Sequence, residues 1–206
     1  MQSSTKPVTV DKEGRAGRPR SIGAGVASHF RPTYEGSMPA PLTDSELFAR
    51  LDALGIAHRT QSHAPVFTVE EAKALRGDLV GGHTKNLFLK DKKDGLWLVV
   101  AREHLAIDLK ELSKQLDSPR FSFGSAELLL EVLGVPPGSV TPFAVINDSE
   151  GSVRVVLDEG MLALDPLNFH PLRNDRTTAI SPDDLLRFLR ATGHEPVIAI
   201  LPERAL

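Results

Sequence analysis

The stretch GGHTKNLFLKDKKDGLWLVVA, residues 81–101, contains two apolar runs separated by a short charged turn. Both runs are apolar at consecutive positions, which is typical of strands that are covered on both faces of a sheet. The stretch therefore predicts a β-hairpin over residues 84–101 that turns at 91–95 and lies at the centre of a sheet. A charged side chain and an amide, Lys85 and Asn86, stand at the start of its first strand.

Helix and strand signals continue on both sides of this hairpin. Capping residues, apolar spacing and terminal glycines predict helices over 43–55, 68–77, 108–116, 125–134 and 181–193. Short apolar runs predict strands at 57–63 and 196–201, and a second hairpin from 142–148 and 152–159. Helices and strands mix without strict alternation, so we expect an α/β fold for residues 42–206. It would be a single compact domain with a central mixed β-sheet flanked by helices.

Residues 1–41 differ from the rest because they are rich in Pro, Gly, Ser and Arg and have no periodicity. This composition predicts a disordered basic N-terminal extension. Its six Lys and Arg residues outnumber its three acidic residues. The segment is interpreted either as a basic arm for RNA or as a solvated tail, with Met38 as an alternative start.

Composition excludes several classes of function. The 206 residues include no cysteine, which excludes a disulfide framework, a thiolate nucleophile and a cysteine-ligated metal. The net charge is −3 and is about −6 for residues 42–206, so general DNA binding is not expected. No apolar run reaches the roughly 18–20 residues of a membrane span, and we expect no membrane association and a cytoplasmic location. The seven histidines show no close ligand spacing, and nucleotide motifs are absent, so neither a metal nor a cofactor is expected.

Polar residues interrupt apolar segments at three places that are candidates for chemistry. At the first, Lys85 shares a strand face with Leu87 and Leu89, while Asn86 shares the other face with Phe88. A partly desolvated lysine attracts an anionic or electron-rich group. Equally, Lys85 is interpreted as a strand-end charge that reaches solvent, and Asn86 as a turn residue.

The other two places are loops. In residues 138–142, Gly and Pro fix a loop that could present backbone groups to a ligand, or that simply connects a helix to a strand. Residues 168–181 are dense in polar side chains and include His170, which could position water or play a structural part. Asn174, Asp175, Thr177 and Thr178 are interpreted as turn and cap groups.

Taken in series, TVEEA, GGHTKNLFLKDKK, FSFG, LGVPPGSVTPFAVIND and NFHPLRNDRTTAIS resemble the YbaK-like prolyl-tRNA synthetase-associated editing domain. Within that family the sequence is most similar to the free-standing deacylases that remove alanine from mischarged proline tRNA. The resemblance covers residues 42–206 in order, and residues 1–41 lie outside it.

The resemblance implies the editing-domain fold and hydrolysis of the ester that joins an amino acid to the tRNA 3′ end. It implies that Lys85 is catalytic and that the substrate is bound by Asn86, Gly138, Ser139, Thr141, Pro142 and His170. The implied partners are the acceptor end of alanine-carrying tRNA(Pro) and, as a further candidate, prolyl-tRNA synthetase. A synthetase pocket for proline discriminates against alanine by only about 1–3 kcal/mol per methylene, so a second, smaller site is useful. Two alternatives stay open, namely editing of cysteine or serine and a non-catalytic nucleic-acid-binding module.

Overall fold

The computed structural model of the protein describes residues 40–64 and 80–204. The predicted helix at 68–77 lies outside these residues, and so does the predicted extension apart from its last two positions. Residues Pro39–Leu206 form one compact unit. In the described part of the chain, no helix is long and apolar enough to cross a lipid bilayer.

The described elements follow the chain in an irregular alternation of helices and strands. In order they are α1 (Asp44–Ala53), β1 (His58–Ser62), β2 (Gly82–Asp91), β3 (Leu96–Arg102), α2 (Leu109–Gln115), β4 (Phe121–Phe123), α3 (Ala126–Leu133), a 3₁₀ helix (Pro142–Asn147), β5 (Val153–Asp158), a short 3₁₀ helix (Glu159–Met161), β6 (Leu167–Phe169), β7 (Arg176–Ile180), α4 (Pro182–Ala191) and β8 (Val197–Ala199).

The strands form one mixed eight-stranded sheet, which confirms the predicted fold class. Its order is β1-β7-β6-β2-β3-β5-β8, and β4 also pairs with β2. The opening hairpin is present as the antiparallel pair β2 and β3, with Lys85 opposite Ala101 and Asn86 opposite Val100. β5 pairs with β3 in parallel and β8 pairs with β5 in parallel, whereas β1 and β7 pair antiparallel.

Local helix signals were reliable guides to where the described helices begin. Thr43 and Glu46 form a reciprocal capping box at α1. The Ser125 hydroxyl accepts from the Leu128 N–H at α3, and the Ser181 hydroxyl accepts from the Asp184 N–H at α4. Each cap satisfies a backbone donor that would otherwise lack a partner in the first turn.

The predicted second hairpin is wrong, because residues 142–147 form a 3₁₀ helix instead of a strand. Pro142 has no N–H for a strand ladder and is well suited to the first turn of a helix. The Thr141 hydroxyl caps that turn by accepting from the Phe143 N–H at 3.3 Å. An apolar run of five residues, 142–146, fits either structure by composition alone, and here the buried 3₁₀ helix occurs.

Both faces of the sheet are covered, by cores of unequal size. The large-core face packs against α1, α3, α4 and the 3₁₀ helix 142–147, and includes Phe88, Leu98, Val100 and Leu157 from the strands. The small-core face packs against α2 and the chain after β3, and includes Leu89, Val99, Ala101 and Val156. Neighbouring residues of β2 therefore point into different cores, as the two-residue period of a strand requires.

One edge of β2 is divided between two partners. β3 pairs along one side of β2, while the other side pairs with β6 at Gly82 and His83 and with β4 at 89–91. Among the described strands, none pairs with residues 84–87 on that second side. This interval, which we call the β2 gap, contains Lys85 and Asn86.

Candidate functional site

Lys85 leaves β2 on the small-core face. Its ammonium donates a hydrogen bond to the carbonyl oxygen of Leu105, a buried residue just after β3. Burial lowers the pKa of Lys85, and the negative charges of Glu103 and Glu203 oppose that shift. The side chain is thus a half-buried cation that is held by a backbone carbonyl.

Asn86 leaves β2 on the large-core face and contacts the loop 138–142. Its Nδ2 donates to the carbonyl oxygen of Val140 at 2.9 Å. Its Oδ1 is buried and has no hydrogen-bond partner within the described residues. An unsatisfied buried acceptor is costly, so Asn86 offers a position where an incoming donor would be stabilised.

The loop 138–142 turns its polar side chains inward. Ser139 is 3% exposed and Thr141 is fully buried, where its hydroxyl caps the following 3₁₀ helix. Gly138 has φ of +87°, a left-handed conformation that favours glycine. With both side chains buried, the groups that this loop can offer a ligand are mainly backbone N–H and C=O groups.

His170 lies beside a second histidine. Its Nδ1 is 2.8 Å from the Arg176 carbonyl oxygen, and its ring centroid is 6.1 Å from that of His63. Because a carbonyl oxygen only accepts, Nδ1 is the donor, and in a neutral ring Nε2 then carries the acceptor lone pair. His63 has the same arrangement: its Nδ1 is 2.8 Å from the Ala64 carbonyl oxygen, so in a neutral ring its Nε2 accepts from the Thr177 hydroxyl at 2.9 Å.

The structure brings most, but not all, of the predicted residues together. Asn86 contacts the loop 138–142, and a Cβ added at Gly138 would lie 3.9 Å from Asn174 Nδ2, in the same polar segment as His170. Lys85 departs on the opposite face of the sheet from Asn86. The two neighbouring residues therefore cannot both surround one small group in this arrangement.

The polar segment after β6 is shaped by strain and by ion pairs. Leu172 adopts φ of +66°, a left-handed conformation that is unfavourable for a residue with a branched side chain. Arg173 pairs with Asp175, and Arg176 pairs with Asp44 at the start of α1, both at 2.6 Å. These contacts fix the segment that carries His170 and Asn174.

Two further findings limit what the site can be. Within residues 40–64 and 80–204, no group of three or more His, Cys, Asp or Glu side chains could hold a metal ion. A cavity of about 550 Å³ lies beside β1 and β7, but its lining includes none of the predicted site residues.

A model of the aminoacyl-tRNA editing domain family matches residues 63–188, a range that includes every predicted site residue. The chain belongs to this family. The mouse prolyl-tRNA synthetase associated domain-containing protein 1 is 42% identical over 159 residues, covering 75% of this chain and 94% of the relative. The prolyl-tRNA editing protein ProX of Acetoanaerobium sticklandii is 36% identical, covering 72% of this chain and 91% of the relative.

Solved structures agree with the fold of the editing domain. The crystal structure of the hypothetical protein APE2540 has a TM-score of 0.62 at 22% identity. It covers 77% of this chain and 99% of its own. At this identity the likeness establishes the fold alone.

Several residues around the editing-domain site could not be selected from the sequence. His63 directly follows β1 and Thr177 lies in β7, and these two strands pair across more than a hundred residues. Asn168, whose Oδ1 also lacks a partner within the described residues, binds the Val80 and Gly82 carbonyls that lead into β2. Glu203 acts on Lys85 from a distant part of the chain, whereas Glu103 directly follows the hairpin that contains Lys85. Of these residues, only His63 could be selected from the local sequence, because it lies just before the TVEEA segment.

Proposed function

We propose that this protein is a trans-editing hydrolase that removes alanine from mischarged alanyl-tRNA(Pro) and releases alanine and free tRNA. Membership of the editing-domain family and likeness to a prolyl-tRNA editing protein support the editing of mischarged tRNA. The observation that carries the proposal is made at Asn86: its Nδ2 donates to the Val140 carbonyl in the loop 138–142, and its buried Oδ1 has no hydrogen-bond partner among the described residues. A ribose hydroxyl or an α-ammonium group at the aminoacyl end would supply that donor.

The aminoacyl end is assigned to the large-core side of β2. There a hydrogen bond joins Asn86 to the loop 138–142, and Asn174, from the same polar segment as His170, lies near Gly138. Small changes in the volume of such a region change selectivity, since one methylene contributes about 1–3 kcal/mol. A space that admits the alanyl group and rejects the larger prolyl group gives the required preference.

The reaction needs few protein groups because an aminoacyl ester is already activated. Water adds to the ester carbonyl, the bond to the ribose oxygen breaks, and that oxygen takes up a proton. The neutral form of His170 with Nδ1 bound to Arg176 presents Nε2 as an acceptor, which is suited to orienting the water. The neighbouring ribose hydroxyl of the substrate assists by proximity.

Lys85 is assigned to the tRNA backbone instead of the ester carbonyl. It lies on the other face of the sheet from Asn86, and its ammonium has three donors, of which one is used by Leu105 O. The remaining donors would bind a phosphate or ribose oxygen of the acceptor end. Partial burial strengthens such a contact compared with one in water.

Rates of deacylation for a panel of tRNA(Pro) charged with alanine, proline, cysteine or serine test this proposal. We expect alanyl-tRNA(Pro) to be hydrolysed at least about tenfold faster than prolyl-tRNA(Pro). Faster loss of cysteine or serine would transfer the assignment to that amino acid. Tight binding of tRNA without hydrolysis of any ester would contradict an enzymatic function.

Two lysine variants connect the activity to the site. Lys85→Ala should reduce kcat/KM by about a hundredfold or more, because a desolvated charged contact to the substrate is lost. Lys110→Ala is the matched control, since Lys110 is an exposed residue of α2. It should retain nearly full activity, and equal rates for the two variants would refute the role of Lys85.

A further inference from the structure

The β2 gap is an interval in which an inner strand has a pairing strand on one side only. Main-chain groups of alternate residues in a strand point to alternate edges. On the side of the gap, the Gly82 N–H donates to the Pro166 carbonyl at 2.8 Å, and the Phe88 carbonyl accepts from the Gly124 N–H at 3.0 Å. Even-numbered residues of β2 therefore direct their N–H and C=O groups to this side, and odd-numbered residues direct theirs to β3.

Three main-chain groups point into the gap. The ladder between β2 and β6 ends at His83, and the ladder between β2 and β4 begins at Leu89. The groups between these two ladders are the Thr84 carbonyl and both the N–H and the carbonyl of Asn86. In the part of the chain that the structure describes, none of the three has a hydrogen-bond partner.

The gap is accessible, and its length limits what it can bind. Residues 83–87 are partly exposed, whereas Gly82 and Phe88 on either side of them are buried. Four residues of a strand extend over about 13 Å, so a longer peptide strand paired with the gap would collide with β4 or β6. A flat group with one donor and one acceptor on the same edge fits this length.

A nucleobase is such a flat group. The Thr84 carbonyl and the Asn86 N–H are an acceptor and a donor two residues apart on one strand edge. Adenine has a complementary pair, since its N6 amino group donates next to a ring nitrogen that accepts. Proteins bind the bases of single-stranded RNA ends through hydrogen bonds to these edges. Every tRNA carries its amino acid on a 3′-terminal adenosine, so the base closest to the ester is an adenine.

We propose that the β2 gap binds the 3′-terminal adenine of the tRNA, whose N6 amino group donates to the Thr84 carbonyl while a neighbouring ring nitrogen accepts from the Asn86 N–H. The identity of this ligand rests on the proposed function. Asn86 then serves the terminal nucleotide twice, because its main chain binds the base and its Oδ1 is the acceptor assigned to the aminoacyl end. Lys85 lies on the opposite face of the same strand, where a phosphate oxygen of the bound end is within the reach of a nucleotide that spans the strand edge.

Amide hydrogen exchange measured by NMR tests the gap without any substrate. Lys85 and Leu87 direct their N–H groups to β3, where they stand opposite Ala101 and Val99. The N–H of Asn86 points the other way and should exchange at least about a hundredfold faster in the free protein than those of its two neighbours. Equally slow exchange at all three positions would show that the gap is closed and would overturn the proposal.

The second test adds an analogue of the substrate that cannot be hydrolysed. In this tRNA(Pro), alanine is joined by an amide bond to a terminal 3′-amino-3′-deoxyadenosine. The control tRNA has purine as its terminal base, which lacks only the N6 amino group. The adenine form should bind about three- to tenfold more tightly than the control and should slow the exchange of the Asn86 N–H. Equal affinities, with the Asn86 N–H unprotected by either tRNA, would overturn the proposal.

Two further terminal bases test the ring nitrogen. Terminal 1-deazaadenine and 7-deazaadenine each lack one of the two ring nitrogens that flank the N6 amino group. Only one of the two replacements should weaken binding, by about three- to tenfold, because only one edge of the base faces the Asn86 N–H. Unchanged affinity for both analogues would contradict recognition by the main chain.

The adenine site and the proposed function fail in different ways. Hydrolysis of alanyl-tRNA(Pro) with the same kcat/KM for adenine and purine ends would contradict the adenine site alone. Binding that depends on the N6 amino group, in a protein that hydrolyses no aminoacyl ester, would contradict the proposed function and support the adenine site.

Discussion

At the scale of single residues, replacing the side-chain amide of Asn86 by a carboxylate tests the candidate site. Its Nδ2 donates to the Val140 carbonyl at 2.9 Å. Asn86→Asp keeps the shape but places a carboxylate oxygen against that carbonyl oxygen, where the two repel. We expect the loop 138–142 to shift, a loss of about 1–3 kcal/mol in the free energy of unfolding, and a large loss of deacylase activity.

Asn147→Asp is the matched control for this change. Asn147 also uses its amide to bridge main-chain groups, donating to Leu133 O and accepting from the Leu42 N–H, both at 2.9 Å. The control should lose comparable stability in urea unfolding and keep most of its deacylase activity. If both variants lose activity in proportion to stability, Asn86 is structural and its assignment to the substrate is wrong.

The buried carboxylate of Asp148 makes the stability of the fold depend on pH. It accepts from the Val153 N–H at 2.7 Å, the Ser152 hydroxyl at 2.9 Å and His194 Nε2 at 3.0 Å. Burial alone would raise the pKa of Asp148, but these hydrogen bonds outweigh it and hold the pKa below its ordinary value. A depressed carboxylate pKa stabilises the fold above the unfolded value of about 3.9 and ceases to do so as pH falls through the folded value.

Asp148→Asn should therefore lose most stability near neutral pH and progressively less in acid. We expect a deficit of about 2 kcal/mol at neutral pH, because a buried network is left partly unsatisfied. Urea unfolding followed by the fluorescence of Trp97, the single tryptophan, measures this difference at several pH values. A deficit that stays constant down to strongly acidic pH would show that the charge of Asp148 is unimportant.

At the scale of elements, Gly81 controls how the chain enters β2. It has φ of +121°, and an added Cβ would overlap the Pro166 carbonyl and lie 2.8 Å from Asn168 Nδ2. Gly81→Ala should cost about 3 kcal/mol or more and disturb the start of β2, where Lys85 and Asn86 lie. The observable results are a lower unfolding midpoint in urea and reduced deacylase activity.

Gly55→Ala separates backbone strain from crowding. Gly55 has φ of +63° at the end of α1, and an added Cβ there would meet nothing within 4 Å. The variant should cost only about 1 kcal/mol and leave deacylation unchanged. Similar losses of stability in the two glycine variants would mean that Pro166 and Asn168 yield more easily than their contacts suggest.

Elements with local signals were predictable, and elements that depend on distant partners were not. Thr43, Ser125 and Ser181 cap their helices through contacts within three residues, so a short window of sequence contains the whole signal. β6 and β7 are short, and β7 includes Thr177 and Thr178, which the sequence pattern alone assigns to turns and caps. Their pairing with β2 and β1 fixes them as strands, and a local pattern does not contain that information.

In the candidate site, too, some features follow from local sequence and others depend on distant parts of the chain. The alternation of Lys85 and Asn86 between strand faces follows from the two-residue period and was predictable. What lies on each face was not, because the Leu105 carbonyl, Glu203, Val140 and His63 come from separate parts of the chain. The grouping of these residues depends on the order of strands in the sheet.

At the scale of the whole molecule, the sheet separates the contacts of Asn86 from those of Lys85. The large-core face positions Asn86 and the loop 138–142, and the small-core face positions Lys85 and the loop 105–108. β2 contributes to both faces through neighbouring residues, as β3 and β5 also do, and β2 is the strand that carries both Asn86 and Lys85. Variants that alter either core should therefore affect deacylation most when they displace the start of β2.

Residues 1–38 provide the last test at this scale. Residues Pro39–Leu206 form a compact unit, and the family model begins only at residue 63. Removing residues 1–38 should leave the unfolding midpoint within about 2 °C of the full chain and deacylation almost unchanged. The removed segment carries six Lys and Arg residues against three acidic residues, so KM must be compared at low and at physiological salt. A KM that rises on truncation, and rises most at low salt, would show that these cations neutralise tRNA phosphates and would make the segment part of substrate binding.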